Sequence, residues 1–67
     1  MPLKIRELKT LLSKAGFYQR PGKGSHTVWK HPLLPQVRIT LAGKDGMDAK
    51  PYQVKDIQDA LEELGGF

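Results

Sequence analysis

There is no cysteine among the 67 residues, so neither a disulfide framework nor a thiol nucleophile is available to this chain. The aromatics are one tryptophan, two tyrosines and two phenylalanines, enough for a single small cluster. The two histidines have no Asp/Glu companions at zinc-like spacing, so no metal or other cofactor is expected. No apolar stretch approaches about 18 residues, and no charged segment precedes an apolar leader, so a membrane-spanning or secreted protein is not expected. The lack of cysteine fits a reducing cytoplasm. The length predicts one domain over residues 1–67. A chain this short buries only about 60% of its unfolded surface, so its core is thin. The fold must therefore rest on well-patterned elements, or on a partner that covers part of it.

Acid is scarce in the first half. Residues 1–31 carry Lys4, Arg6, Lys9, Lys14, Arg20, Lys23 and Lys30 against Glu7 alone, whereas residues 32–67 carry four cations against six acids. The whole has a net charge of +4 and an isoelectric point near 9.6. Such a basic half suits a polyanion, most often nucleic acid, although lysines also serve simply to solvate a small domain.

Leu3 to Ala15 reads as an amphipathic helix. Ile5, Leu8, Leu12 and Ala15 mark one face, Leu11 widens it, and Gly16 stands where a left-handed cap is wanted. Phe17 to Arg20 reads as a short strand ended by Pro21-Gly22, and Ser25 to His31 as a second. Pro32 to Pro35 is expected to form a hairpin loop, since proline is poorly tolerated inside a sheet. Val37 to Leu41 alternates apolar and polar, the pattern of a half-buried strand. Ala42 to Ala49 is loop, where Lys44 and Lys50 offer a second contact to phosphate. Pro51 then opens a helix whose apolar face is Val54, Ile57, Ala60, Leu61 and Leu64. The expected fold is α+β: a two-layer α-β-β-β-α domain with a three-stranded antiparallel sheet and both helices on one face. Double-stranded-RNA-binding domains share this order, but order alone licenses no function.

Chemistry concentrates in Gly22-Lys23-Gly24-Ser25-His26. The glycines admit close backbone approach, and successive N–H groups in such a turn can form an anion-binding concavity. Lys23 adds charge, Ser25 a donor, and His26 a side chain that moves protons near neutral pH. Taken alone, such a run is more often a flexible turn, and its spacing is not that of a Walker motif. His31 follows His26 at an odd interval, which in a strand puts the two on opposite faces and gives His31 a structural place. Trp29 reads as core rather than as a base-stacking platform. The carboxylates crowd onto the outer side of the last helix as a solvated face, and no serine has a triad.

A helix ending Lys14-Ala15-Gly16-Phe17, then Gly24-Ser25-His26, an aromatic at position 29, His31-Pro32, a Val/Ile strand and a Lys50-Pro51 helix start together resemble the HicA family over nearly the whole chain. The resemblance implies a toxin of a type II toxin–antitoxin pair, a metal-independent endoribonuclease that cleaves mRNA and is neutralised by a HicB-like antitoxin. It also implies the dsRNA-binding-like fold, and it maps the family's essential histidine onto His26. The expected nucleic-acid contacts are Arg20, Lys23, Gly24, Ser25 and Lys30, with Lys23, Lys30 and backbone N–H groups stabilising the phosphorane. Two departures stand out. Tyr52-Gln53 occupies the place where the family often has Gly then Ser/Thr, and the loop Gly43 to Lys50 is more acidic than usual. Both bear on subgroup and partner contacts rather than on His26. Two other classes compete: a non-catalytic RNA-binding module on the same fold, and a purely protein-binding domain. In either one, His26→Ala leaves function largely intact.

Overall fold

The structure, a computed structural model, describes residues 3–24 and 26–65. Its elements are α1 (Ile5–Lys14), β1 (Tyr18–Pro21), β2 (Thr27–His31), β3 (Leu34–Leu41) and α2 (Pro51–Glu63). The α+β order α-β-β-β-α is as expected, and the strands form one antiparallel sheet in the order β1-β2-β3.

The helices form where the apolar spacing allows. Leu8 and Leu12 of α1 and Ile57 and Ala60 of α2 meet Trp29, Ile39 and Leu41 from a single face of the sheet. Leu11, expected to widen the buried stripe of α1, is instead 41% exposed. It borders a shallow hollow with Leu3, Glu7 and Thr10. Gly16 closes α1 with φ of +97°. Its N–H reaches the Ser13 carbonyl and the Phe17 N–H reaches that of Leu12, which is the double bond of a Schellman cap. At the start of α2, the Lys50 N–H donates to Gln53 Oε1 at 2.8 Å and Gln53 Nε2 donates to the Ala42 carbonyl at 3.3 Å. Gln53 is thus a buried cap that ties α2 to the end of β3, which accounts for a long amide at this position.

β3 corrects the sequence reading. Its first residue is Leu34, not Val37, and only Pro32-Leu33 forms the turn. A bulge makes room: Trp29 pairs with Ile39 and His31 with Leu34, so residues 35–38 oppose Lys30 alone. In this irregular stretch of an edge strand, Pro35 need not supply a ladder N–H.

The loop after β3 leaves the sheet at Leu41, opposite Thr27. It is pinned to α1 by the Ile5 and Arg6 N–H groups on the Met47 and Asp45 carbonyls. Lys4–Asp48 and Lys9–Asp45 ion pairs add to this. The acids of this loop are therefore spent on α1. On α2, the hydrogen bond and charge of Asp59 raise the Lys55 pKa above its usual 10.5. Among the described residues, no helix is long and apolar enough to cross a membrane.

Candidate nucleic-acid interface

The β1–β2 connection is short because Pro21 already pairs with Thr27. Residues 22–26 must therefore reverse the chain within one turn. The His26 N–H returns to the Lys23 carbonyl at 3.0 Å, and Gly24 adopts φ of +59°. Gly22 lies so close that a Cβ there would stand 2.8 Å from the His26 carbonyl oxygen. Glycine at 22 is thus a condition of this turn. Ser25 lies outside the described residues.

His26 is exposed, with Nδ1 3.1 Å from the Lys23 carbonyl oxygen. A carbonyl only accepts, so Nδ1 is the nitrogen that donates here, and in the neutral ring the lone pair then lies on Nε2. His31 contrasts with it at every point. It is buried, Nε2 lies 2.9 Å from the Ala15 carbonyl oxygen, and Nδ1 accepts from the Leu33 N–H at 3.0 Å. Its ring also meets Phe17 edge to face, with centroids 4.9 Å apart. Both of its nitrogens are committed to holding the β2–β3 turn against the end of α1. The odd interval between the histidines does place one inside and one outside.

Alternation sorts the rest of the sheet. Thr27, Trp29 and His31 face the helices, and Trp29 donates Nε1–H to Thr27 Oγ1 at 3.0 Å. Trp29 is therefore core, with no ring face open to a base. Val28 and Lys30 face the other way, across from Arg20 and Tyr18 respectively. Arg20, Val28, Lys30 and Arg38 line one shallow open hollow of about 260 Å³. Arg38 and Tyr18 were not among the contacts expected from sequence. The alternation of residues 37–41 did place Arg38 on the polar side, but only the register across the bulge brings it beside Arg20 and Lys30.

The electrostatics of this layer are one-signed. The three strands contain Arg20, Lys30 and Arg38 and no acid. With Lys23 in the adjoining loop, these four cations equal the net charge of +4, since the other seven Lys and Arg are matched by the seven Asp and Glu. Ion pairs among the described residues all involve the helices and the loop after β3. Lys44 and Lys50 are exposed in that loop, which begins at the His26 end of the sheet. Among the described residues, no three His, Asp or Glu side chains gather into a metal site.

The model of the family described as "HicA toxin of bacterial toxin-antitoxin" matches residues 5–65. No curated protein matches the chain, and neither does any solved structure.

Proposed function

The chain belongs to the HicA toxin family of toxin–antitoxin systems, and from that premise we propose that it is a metal-independent endoribonuclease acting on mRNA, with His26 as its proton-transfer residue and a HicB-like antitoxin as its partner. The observation that carries this reading is the exposed imidazole of His26, held through Nδ1 by the Lys23 carbonyl at the end of a sheet whose strands carry Arg20, Lys30 and Arg38 and no acid.

In the reaction we envisage, Nε2 takes the proton of a ribose 2′-hydroxyl. O2′ bonds to the neighbouring phosphorus, the P–O5′ bond breaks, and the leaving oxygen takes a proton from solvent. The products are a 2′,3′-cyclic phosphate and a 5′-hydroxyl end. Lys23, in the same turn as His26, and the backbone N–H groups of the glycine loop stabilise the charge on the phosphorane. At about 3.3 Å per residue, Lys30 stands roughly 13 Å along the strand from His26. That spacing suits a flanking phosphate better than the reacting one. His31 takes no part, because neither of its nitrogens is free.

The test is cleavage of RNA by purified protein. His26→Ala should abolish cleavage while the fold persists, EDTA should have no effect, and the new ends should be cyclic phosphates. Cleavage by the alanine variant at the parent rate would overturn the role given to His26, whereas a parent chain that binds RNA and cleaves none would leave the non-catalytic RNA-binding module as the better account.

A further inference from the structure

The open face of the sheet also indicates the form of RNA it takes. We propose that a single strand of RNA lies across this face, with one base stacked on Tyr18 and the flanking phosphates held by Arg20, Lys30 and Arg38. This rests on RNA being the substrate, and it names the strandedness and the residues that read it.

Three observations converge. Tyr18 is 47% exposed and stands directly opposite Lys30, which puts the two Cβ atoms about 5 Å apart. Arg20 follows on the same face about 6.7 Å further along β1. A ring edged by two cations matches the pairing of stacking platform and phosphate contact that binds single strands with little sequence preference. Phe17 and Trp29 are both buried in the core, so Tyr18 is the aromatic that this face offers among the described residues. Tyr52, also exposed, lies in the first turn of α2 and not on the sheet.

The hollow itself argues against a duplex. Across three strands the sheet is only about 10 Å wide, and the cavity is shallow, floored by Val28 between the three cations. A paired helix hides its base faces and would meet this surface through phosphates alone, leaving Tyr18 idle. An unpaired base can turn out of its strand and lie on the ring.

Binding is tested on the full chain with a fluorescent 2′-O-methyl oligoribonucleotide, which lacks the attacking hydroxyl and so separates binding from cleavage. The single strand should bind at least about tenfold more tightly than the same oligomer annealed to its complement. Tyr18→Leu should weaken single-strand binding about five- to a hundredfold, in the range of one lost base stack, while Tyr18→Phe restores it. Arg38→Gln should reduce the magnitude of the log–log salt slope by about 0.7, the share of one single-strand phosphate. Lys55→Gln, on α2, should change nothing. Equal affinity for duplex and single strand, or an unchanged affinity for Tyr18→Leu, overturns the proposal. So does a pattern in which these variants lose binding to the antitoxin but not to RNA. Single-strand binding that follows this pattern in a chain that cleaves nothing would uphold it and sink the nuclease reading instead.

Discussion

His31 donates its Nε2–H to the carbonyl of Ala15, 2.9 Å away and 16 residues earlier in the chain. That carbonyl belongs to the C-cap residue of α1, where no intrahelical donor remains, and the imidazole fills the gap. The other ring nitrogen accepts the Leu33 N–H, so one side chain joins the helix end to the β2–β3 turn.

Gly16 is the residue that makes the approach feasible. It has φ of +97°, and a Cβ there would lie 3.0 Å from His31 Nε2. Gly16→Ala would suffer the left-handed penalty of about 1–2 kcal/mol and press on a ring held by two hydrogen bonds. We expect a loss of about 2 kcal/mol or more in urea unfolding, given that displacing the ring also leaves polar groups unpaired. A variant as stable as the parent would show that the ring is free to yield.

The two histidines should separate stability from activity. His31→Leu leaves the buried Ala15 carbonyl without its partner, at about 1–3 kcal/mol, while the Leu33 N–H in the exposed turn can turn to water and adds less. Cleavage per folded molecule should persist. His26→Ala should change stability by no more than about 0.5 kcal/mol, as an exposed substitution, and remove cleavage. Nitrogen NMR of the imidazoles offers an independent check, with the proton on Nε2 of His31 and on Nδ1 of His26. The opposite assignment at His26 would remove the free base from the proposed mechanism.

Gly22 acts on the same turn from behind. Its missing Cβ leaves room for the His26 carbonyl, and backbone cannot swing aside as a flexible side chain can. Gly22→Ala should therefore shift His26 and lower kcat by at least about tenfold, since small misplacements of a reacting group are costly. RNA affinity, resting on Arg20, Lys30 and Arg38, should hold. A variant with parental kcat would mean that the turn relaxes without moving the imidazole.

How much of this the sequence discloses depends on the range of each interaction. The two helices follow from i, i+3, i+4 spacing, and the opposed faces of His26 and His31 follow from an odd interval, both being local rules. From pattern alone β3 starts late, because Pro35 looks like a strand breaker, and only the register shows it beside a bulge on an edge strand. Periodicity puts Leu11 on the buried stripe but does not say how wide a stripe the neighbouring layer covers. The Lys4–Asp48 pair spans 44 residues and the His31–Ala15 bond 16, and no pattern in the chain announces either. The same holds for the joining of Arg38 to Arg20 and Lys30. It required all three strands in register.

The antitoxin offers the last expectation. A toxin–antitoxin pair needs a surface through which silencing acts, and here the whole net charge stands on the sheet face and its adjoining loop. An acidic antitoxin surface laid over Lys23, His26 and Lys30 would bury the free Nε2 and cancel that charge in a single contact. Association should then be fast at low salt and slow markedly as ions screen the encounter. Binding only to the folded state should also raise the melting temperature in proportion to the logarithm of antitoxin concentration. The competing surface is the acidic outer side of α2, with Asp56, Asp59 and Glu63 exposed. It would call for a basic antitoxin acting at a distance from His26. Backbone amide exchange on mixing the two proteins separates the cases. Protection over 22–31, extending to the β1 and β3 residues of the open face, is the expected result. Protection confined to 52–65, with residues 22–31 still exchanging freely, would rule out direct masking and place inhibition on α2.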